Sequence, residues 1–276
     1  MKNIYKILSI LVISINYLSI SKAQEVPSSF ADLAEKLMPS VVNISTTTTV
    51  TTRSNPLPFE FPPGSPFEDM FGSPQQRQTS ALGSGFIIDE EGIVITNNHV
   101  IQGASDIFVR VNGDEDYKAE VLGADAGMDI AVLKIKSDEK FKPVKFGNSD
   151  KSRIGDWVIA IGNPFGLGGT VTAGIISARN RSIGLSRYED YIQTDASINQ
   201  GNSGGPLFNM NGDVIGINTA ILGQSGSIGI GFAIPSNSAQ KVIEQLIEFG
   251  ETKRGWLGVR IQVVDQGIAD AEKLDK

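Results

Sequence analysis

The 276-residue sequence contains no cysteine and a single histidine, His99. Disulfide staples, thiolate nucleophiles, iron–sulfur ligation and cysteine- or histidine-cluster zinc sites are therefore excluded. No metal or cofactor is expected, and any catalysis must come from hydroxyls, carboxylates or that one imidazole. The sequence also has no basic run interleaved with aromatics, and its net charge of −7 disfavours phosphate backbones, so nucleic acid is not expected as a partner. An apolar run long enough to cross a membrane well is missing too. The longest, from Ile7 to Ile20, is interrupted by Ser9, Ser14, Asn16 and Ser19.

That run has the layout of a cleavable address. Lys2 and Lys6 precede it and Ser21-Lys22-Ala23 offers a small-x-small cleavage site, so residues 1–23 read as a signal peptide. A membrane anchor is the alternative. Export without cysteine fits a periplasm. Cleavage after Ala23 removes Lys2, Lys6 and Lys22 and no acid, which takes the net charge from −7 to −10.

Beyond the signal, Ser29 is placed to cap a short helix over 30–38 that ends at Pro39. Val41 to Thr52 is β-branched and strand-like. Residues 53–80 turn to Pro, Gly, Gln and Phe without periodicity and read as a long loop. Phe59, Phe61, Phe67 and Phe71 are unusual in a solvated linker, so the loop either docks on another surface or is disordered. From Ala81 to Ile234 short apolar strands recur between Gly, Asn and Asp, at 85–88, 93–96, 107–111, 130–135, 157–161, 169–177, 192–194, 214–218 and 230–234. Strands at this spacing without intervening helices argue for an all-β sandwich or barrel. A helical period appears only at Ala239, Val242, Ile243, Leu246 and Ile247, with Asn237 as cap and Gly250 as stop.

Three residues carry the chemistry. A serine hydroxyl attacks only with a base to take its proton and N–H donors to hold the oxyanion. Gly201-Asn202-Ser203-Gly204-Gly205 offers both the hydroxyl and an oxyanion hole, with the N–H groups of Gly201 and Ser203 turned to one point. A glycine-rich hairpin with an inert serine is the bland alternative. His99 follows the apolar strand 93–95, where a side chain is held rigidly yet can face a cleft. Asp129 opens the apolar run Ile130-Ala131-Val132-Leu133, where an unpartnered carboxylate would carry a large desolvation cost. Alone, one reads as a surface histidine and the other as a turn aspartate. In chain order they give His99, Asp129, Ser203, one of the known orders of a serine-protease triad.

Thr96-Asn97-Asn98-His99-Val100, Asp129-Ile130-Ala131-Val132-Leu133-Lys134, Gln193-Thr194-Asp195-Ala196 with Gly201 to Leu207, and Gly229 to Pro235 together resemble the HtrA/Deg family of exported serine proteases, within the chymotrypsin-like clan. The resemblance runs from about residue 29 to the end. It implies two perpendicular six-stranded antiparallel barrels, one over about 40–147 bearing His99 and Asp129, the other over about 150–235 bearing Ser203, with the active site in the cleft between them. It implies catalysis by His99, Asp129 and Ser203 and an oxyanion hole at Gly201, Asn202 and Ser203.

Asn202 and Ser197 stand where trypsin-like enzymes carry aspartates, so neither activation by clipping nor cleavage after Lys or Arg is expected. Ile198 and Ile221 would line a small apolar pocket, and Asn218, Thr219 and Ala220 would pair with an extended substrate backbone. The family further implies unfolded polypeptides as substrates without ATP, a homo-oligomer built of trimers, an intersubunit role for 53–80, a sensor loop at Asn180 to Tyr191, and a protease domain over 24–252. Gly255-Trp256-Leu257-Gly258 resembles the opening of a PDZ domain cut short at Lys276. A holdase that cuts little, or a barrel scaffold with a vestigial site, would be the rival readings.

Overall fold

The fold is that of a computed structural model, which describes residues 27–52, 75–111, 115–163, 169–184, 188–199, 201–221, 229–255, 258–259 and 262–273. Strands β1 (Val41–Thr52), β2 (Gln75–Ile87), β3 (Ile93–Thr96), β4 (Asp106–Val111), β5 (Glu115–Asp125) and β6 (Ile130–Ile135) close into one barrel in the order β1-β2-β3-β6-β5-β4. Strands β7 (Trp157–Gly162), β8 (Thr170–Arg181), β9 (Tyr191–Thr194), β10 (Pro206–Phe208), β11 (Val214–Ile221) and β12 (Gly231–Pro235) close the second in the order β10-β11-β12-β9-β8-β7. All neighbouring strands within the barrels pair antiparallel. The expected pair of six-stranded barrels is what the chain forms.

Successive side chains of a strand point to opposite faces, and here both faces of the central strands find apolar partners. On β6, Ala131, Leu133 and Ile135 fill the first barrel with Val42, Ile44, Ile87 and Val94. Ile130 and Val132, on the other face, join Phe86 and Ile95 in a separate cluster with Ile159, Ile161, Phe208 and Ile217 of the second barrel. Likewise Val158 and Ala160 of β7 point into the second barrel beside Ile176, Ile192 and Leu207. The barrels thus share a third apolar core at their seam. Each fully buried aliphatic there contributes about 1.5–3 kcal/mol over an exposed one. Helix α3 (Ser236–Phe249) closes this core with Ala239, Val242, Ile243 and Leu246.

Several elements differ from the sequence-based expectation. Helix α1 runs Ala31–Leu37 with Phe30 at the cap position, and Ser29 Oγ accepts from the Ala31 N–H at 3.1 Å as a turn ahead of it. Asn237 lies inside α3 and does not cap it. Its side chain donates to Asn148 Oδ1 and Asp150 Oδ2 and accepts from the Ser149 N–H, which ties the helix to the link between the barrels. Gly250 does stop α3, with φ 76° and its N–H on the Leu246 carbonyl. Ile247, placed on the apolar face by its spacing, is 44% exposed. Residues 75–80, read as loop, extend β2 along the Thr-rich half of β1, from Thr47↔Ser80 to Thr52↔Gln75. The signal segment, the four Phe of the loop and Trp256-Leu257 lie outside the described residues. Among the described residues no helix is long and apolar enough to cross a membrane.

Candidate active site

His99 sits on helix α2 (Asn98–Ile101), a single turn directly after β3. Its Nδ1 is 2.7 Å from Asp129 Oδ2, and its backbone N–H donates to Asp129 Oδ1 at 2.9 Å. Thr219 of β11 donates its hydroxyl to Asp129 Oδ2 at 2.7 Å. The carboxylate therefore holds the ring through one oxygen and the backbone of the same histidine through the other. Asp129 precedes β6 rather than opening it, and adopts the left-handed conformation at φ 55°. Asp is among the residues that tolerate that region. Asn97 Nδ2 pins the turn by donating to the Asp129 carbonyl at 2.8 Å. The imidazole is 45% exposed and its partner carboxylate 23%. A ring anchored at Nδ1 and open to solvent can exchange a proton at Nε2.

Ser203 arrives from the second barrel on a tight turn. The Asn202, Gly204 and Gly205 N–H groups donate to the carbonyls of Asn199, Asn218 and Asn202 at 3.0, 2.8 and 3.0 Å. Among the described residues the N–H groups of Gly201 and Ser203 have no acceptor. Asn202 supplies no such donor. Its N–H is taken, and its side chain is buried, with Nδ2 on the Ser197 carbonyl at 3.4 Å and Oδ1 against Gly162. Gly201 has φ 96° and Gly204 φ 83°, the region that favours glycine. Ser203 is tied to the first barrel by its carbonyl, which accepts the Ser84 N–H at 2.9 Å. Its hydroxyl makes no hydrogen bond among the described residues; such contacts often tighten only when substrate binds.

The Trypsin-like peptidase domain matches residues 83–217, the stretch holding all three side chains. The solved HtrA-type protease AlgW with decapeptide superimposes at TM-score 0.74 with 44% identity, over 90% of this chain and 76% of that one. The same protease with tripeptide gives TM-score 0.74 at 42% identity, over 89% and 72%. The chain belongs to the HtrA-type serine protease family. The chain is also 49% identical to a probable periplasmic serine endoprotease DegP-like of Marinomonas sp. (strain MWYL1) over 262 residues, 90% of this chain and 56% of that protein. The counterpart in Brucella suis biovar 1 (strain 1330) is 46% identical, over 87% and 53%. The chain spans about half the length of these curated relatives.

Within this HtrA-type framework the residues expected to bind substrate separate. Asn218 is fully buried and both its backbone groups serve the turn around Ser203, its N–H on the Gly205 carbonyl and its carbonyl on the Gly204 N–H. It buttresses Ser203. Thr219 sits at a bulge between Asn218 and Ala220, which aims its hydroxyl at Asp129. Ala220 and Ile221 pair with Phe232 and Gly231, and their side chains lie outside the described residues. Ile198 is 1% exposed and packs on Gly231, where an added Cβ would come within 2.6 Å of its Cγ1.

Sequence reasoning missed a second tier, which includes the buried Asp125. Its carboxylate accepts the Met128 N–H at 2.8 Å, shaping the turn that delivers Asp129. It also accepts from Thr252 Oγ1 and from Arg254 at 2.6 Å, both beyond α3. Arg254 in turn lies 4.4 Å over the ring of Tyr188. Burial alone would raise the Asp125 carboxyl, but the hydrogen bonds from Arg254, Thr252 and Met128 together hold it below the usual aspartate value. A carboxyl depressed by folding contributes stability above its unfolded value of about 3.9, and that contribution is lost as pH falls through the folded value. Asp125→Asn should lower stability at neutral pH by about 1–3 kcal/mol and flatten the decline of Tm below about pH 4. Thermal melts of both proteins across pH 2.5–7 (roughly the carboxylate range) check this. Parallel Tm profiles would refute it.

Proposed function

We infer that the chain is the catalytic portion of an exported serine endopeptidase that cleaves unfolded polypeptides. Ser203 Oγ attacks the scissile carbonyl carbon while His99 Nε2 takes its proton, and Asp129 holds the imidazole and offsets the charge it gains. The oxyanion is met by the N–H groups of Gly201 and Ser203. Collapse expels the amine with the proton from His99 and leaves an ester on Ser203, which water hydrolyses by the same steps in reverse roles. The reaction draws on no nucleotide, metal or cofactor.

The observation that carries this reading is the double grip of Asp129 on the only histidine of the chain, at the seam from which the Ser203 turn also hangs. An extended substrate would lie along Ala220–Ile221, with Ile198 and Gly231 forming the floor of a small apolar side-chain site. An acidic residue at the position of Ser197, as basic-residue cutters require, is missing. The signal-like layout of residues 1–23, the DegP-like relatives named as periplasmic, and AlgW solved with peptides support export and polypeptide substrates. A trimer-based assembly, chaperone activity, and a PDZ beginning near residue 253 follow from family membership as further parts of the proposal.

A fluorophosphonate probe should label the mature protein once per chain, with peptide mapping placing the adduct on Ser203, and the unlabelled protein should degrade unfolded casein. Protein that is folded by circular dichroism yet neither labels nor cleaves would overturn the reading.

A further inference from the structure

The nucleophile turn belongs to the second barrel, but one buried side chain of the first barrel grips it. Ser84 of β2 is fully buried. Its Oγ accepts the Asn163 N–H at 2.8 Å and stands 2.5 Å from the Gly201 carbonyl. Because an N–H can only donate, the Asn163 contact occupies a lone pair and the hydroxyl hydrogen is left for Gly201. Asn163 is itself fixed, its carbonyl accepting from Asn43 Nδ2 at 2.9 Å. The Ser84 backbone adds two more ties: its N–H donates to the Ser203 carbonyl at 2.9 Å, and its carbonyl accepts from Thr96 Oγ1 at 2.8 Å.

These contacts have a common geometry. The Gly201–Asn202 peptide is held at its carbonyl by the Ser84 hydroxyl and at its N–H by the Asn199 carbonyl. The Ser203–Gly204 peptide is held at its carbonyl by the Ser84 N–H and at its N–H by the Asn218 carbonyl. Between them lies the peptide that carries the Ser203 N–H. Gly201, at φ 96°, is the flexible joint on the other side. A glycine there rotates at little steric cost, so the direction of its own N–H depends on what fixes the neighbouring carbonyl.

We propose that Ser84 is a positioning residue of the oxyanion hole, its buried hydroxyl locking the Gly201 carbonyl from the opposite barrel so that both N–H donors stay aimed at one point. The inference rests on Ser203 being the nucleophile. Ser84 touches neither substrate nor reacting atoms; it acts through the Gly201 peptide. Its hydroxyl sets how much of the hole is formed before substrate arrives.

Ser84→Ala keeps the Cβ and removes the hydroxyl. It should lower kcat by about 10- to 100-fold with KM nearly unchanged, less than the loss of a whole oxyanion donor. Affinity for a peptidyl boronate, whose adduct places an oxygen in the hole, should fall by a similar factor, and affinity for the cleaved peptide product should stay constant. Ser84→Cys, a weaker donor of similar bulk, should fall between. Ser236→Ala is the control: it cuts a buried hydroxyl–carbonyl bond of the same kind, to the Gly147 carbonyl at 2.7 Å, without touching Ser84, its partners or Gly201. If Ser84 only holds the barrels together, both alanine variants lose Tm and activity in proportion, and boronate affinity per folded molecule is unchanged, which overturns the proposal. If the parent forms no boronate adduct, the assignment of Ser203 as nucleophile fails and this inference with it; an adduct formed by Ser84→Ala with the affinity of the parent refutes the role of Ser84 alone.

Discussion

Asp129→Asn lowers kcat about 10⁴-fold while leaving the fold and substrate binding nearly intact. The size of the loss follows from how the two carboxylate oxygens are used. Oδ1 accepts the His99 backbone N–H and Oδ2 faces His99 Nδ1. An asparagine of the same shape must place its oxygen against the backbone N–H, because an amide NH₂ there would set donor against donor. The NH₂ group then faces Nδ1 and donates to it. That contact fixes the imidazole with its proton on Nε2, the tautomer that cannot take a proton from Ser203. Thr219 does not resist the change, since its hydroxyl can turn and accept. The expected signature is a kcat collapse at unchanged KM, with an unchanged Tm, measured on a peptide substrate. A loss of less than about tenfold would mean that the imidazole is not the base, or that Asp129 does not select its tautomer.

The three residues proposed to react were legible as candidates because the sequence offers one imidazole and each residue sits where an apolar strand meets a turn. Their supports were not. Thr219 and Asp129 are 90 residues apart, Ser84 and Gly201 117, Asp125 and Thr252 127. A buried serine or aspartate gains its meaning from the atom it meets, and no local pattern names a partner on another barrel. The same holds for Asn202 and Asn218, which look like site residues by position and turn out to spend their backbone N–H groups on the turn itself.

The fold divides along a similar line. β6 and β7 are apolar on both faces because both a barrel interior and the seam cover them, and their six-residue length and β-branched content mark such runs as strands. β5 escaped notice. Most of its exposed face is charged or polar, and a bulge between Val121 and Gly123 shifts the alternation half-way along. β10 has three residues and begins with proline. Gln75 to Ser80 carry no strand signal of their own. They extend because the Thr run of β1 offers them a partner, which is a tertiary effect and not a propensity.

Gly204→Ala is expected to be among the most damaging single methyl groups at the described glycines. Gly204 lies at φ 83°, where an L side chain costs about 1–2 kcal/mol. Its missing Cβ is also the space into which the first barrel closes. A methyl there would overlap the Ser84 carbonyl oxygen and Thr96 Oγ1 and come within 3.0 Å of the Asn97 N. None of these is the free end of a flexible chain. Ser84 and Thr96 are fully buried and bonded to each other, and Asn97 holds the Asp129 turn. Relief therefore requires the barrels to part, at a further cost of about 1–3 kcal/mol. The sum is a large share of a reserve of about 5–15 kcal/mol, and Tm should fall by roughly 10 °C at about 2–4 °C per kcal/mol. Labelling by a fluorophosphonate should fall further than stability does, because the displaced residue is the neighbour of Ser203 and the seam it opens separates His99 from the nucleophile. Melting curves and labelling rates at a temperature where the variant is still folded test both halves. A Gly204→Ala protein that melts and labels like its parent would mean that the barrels do not close on the nucleophile turn.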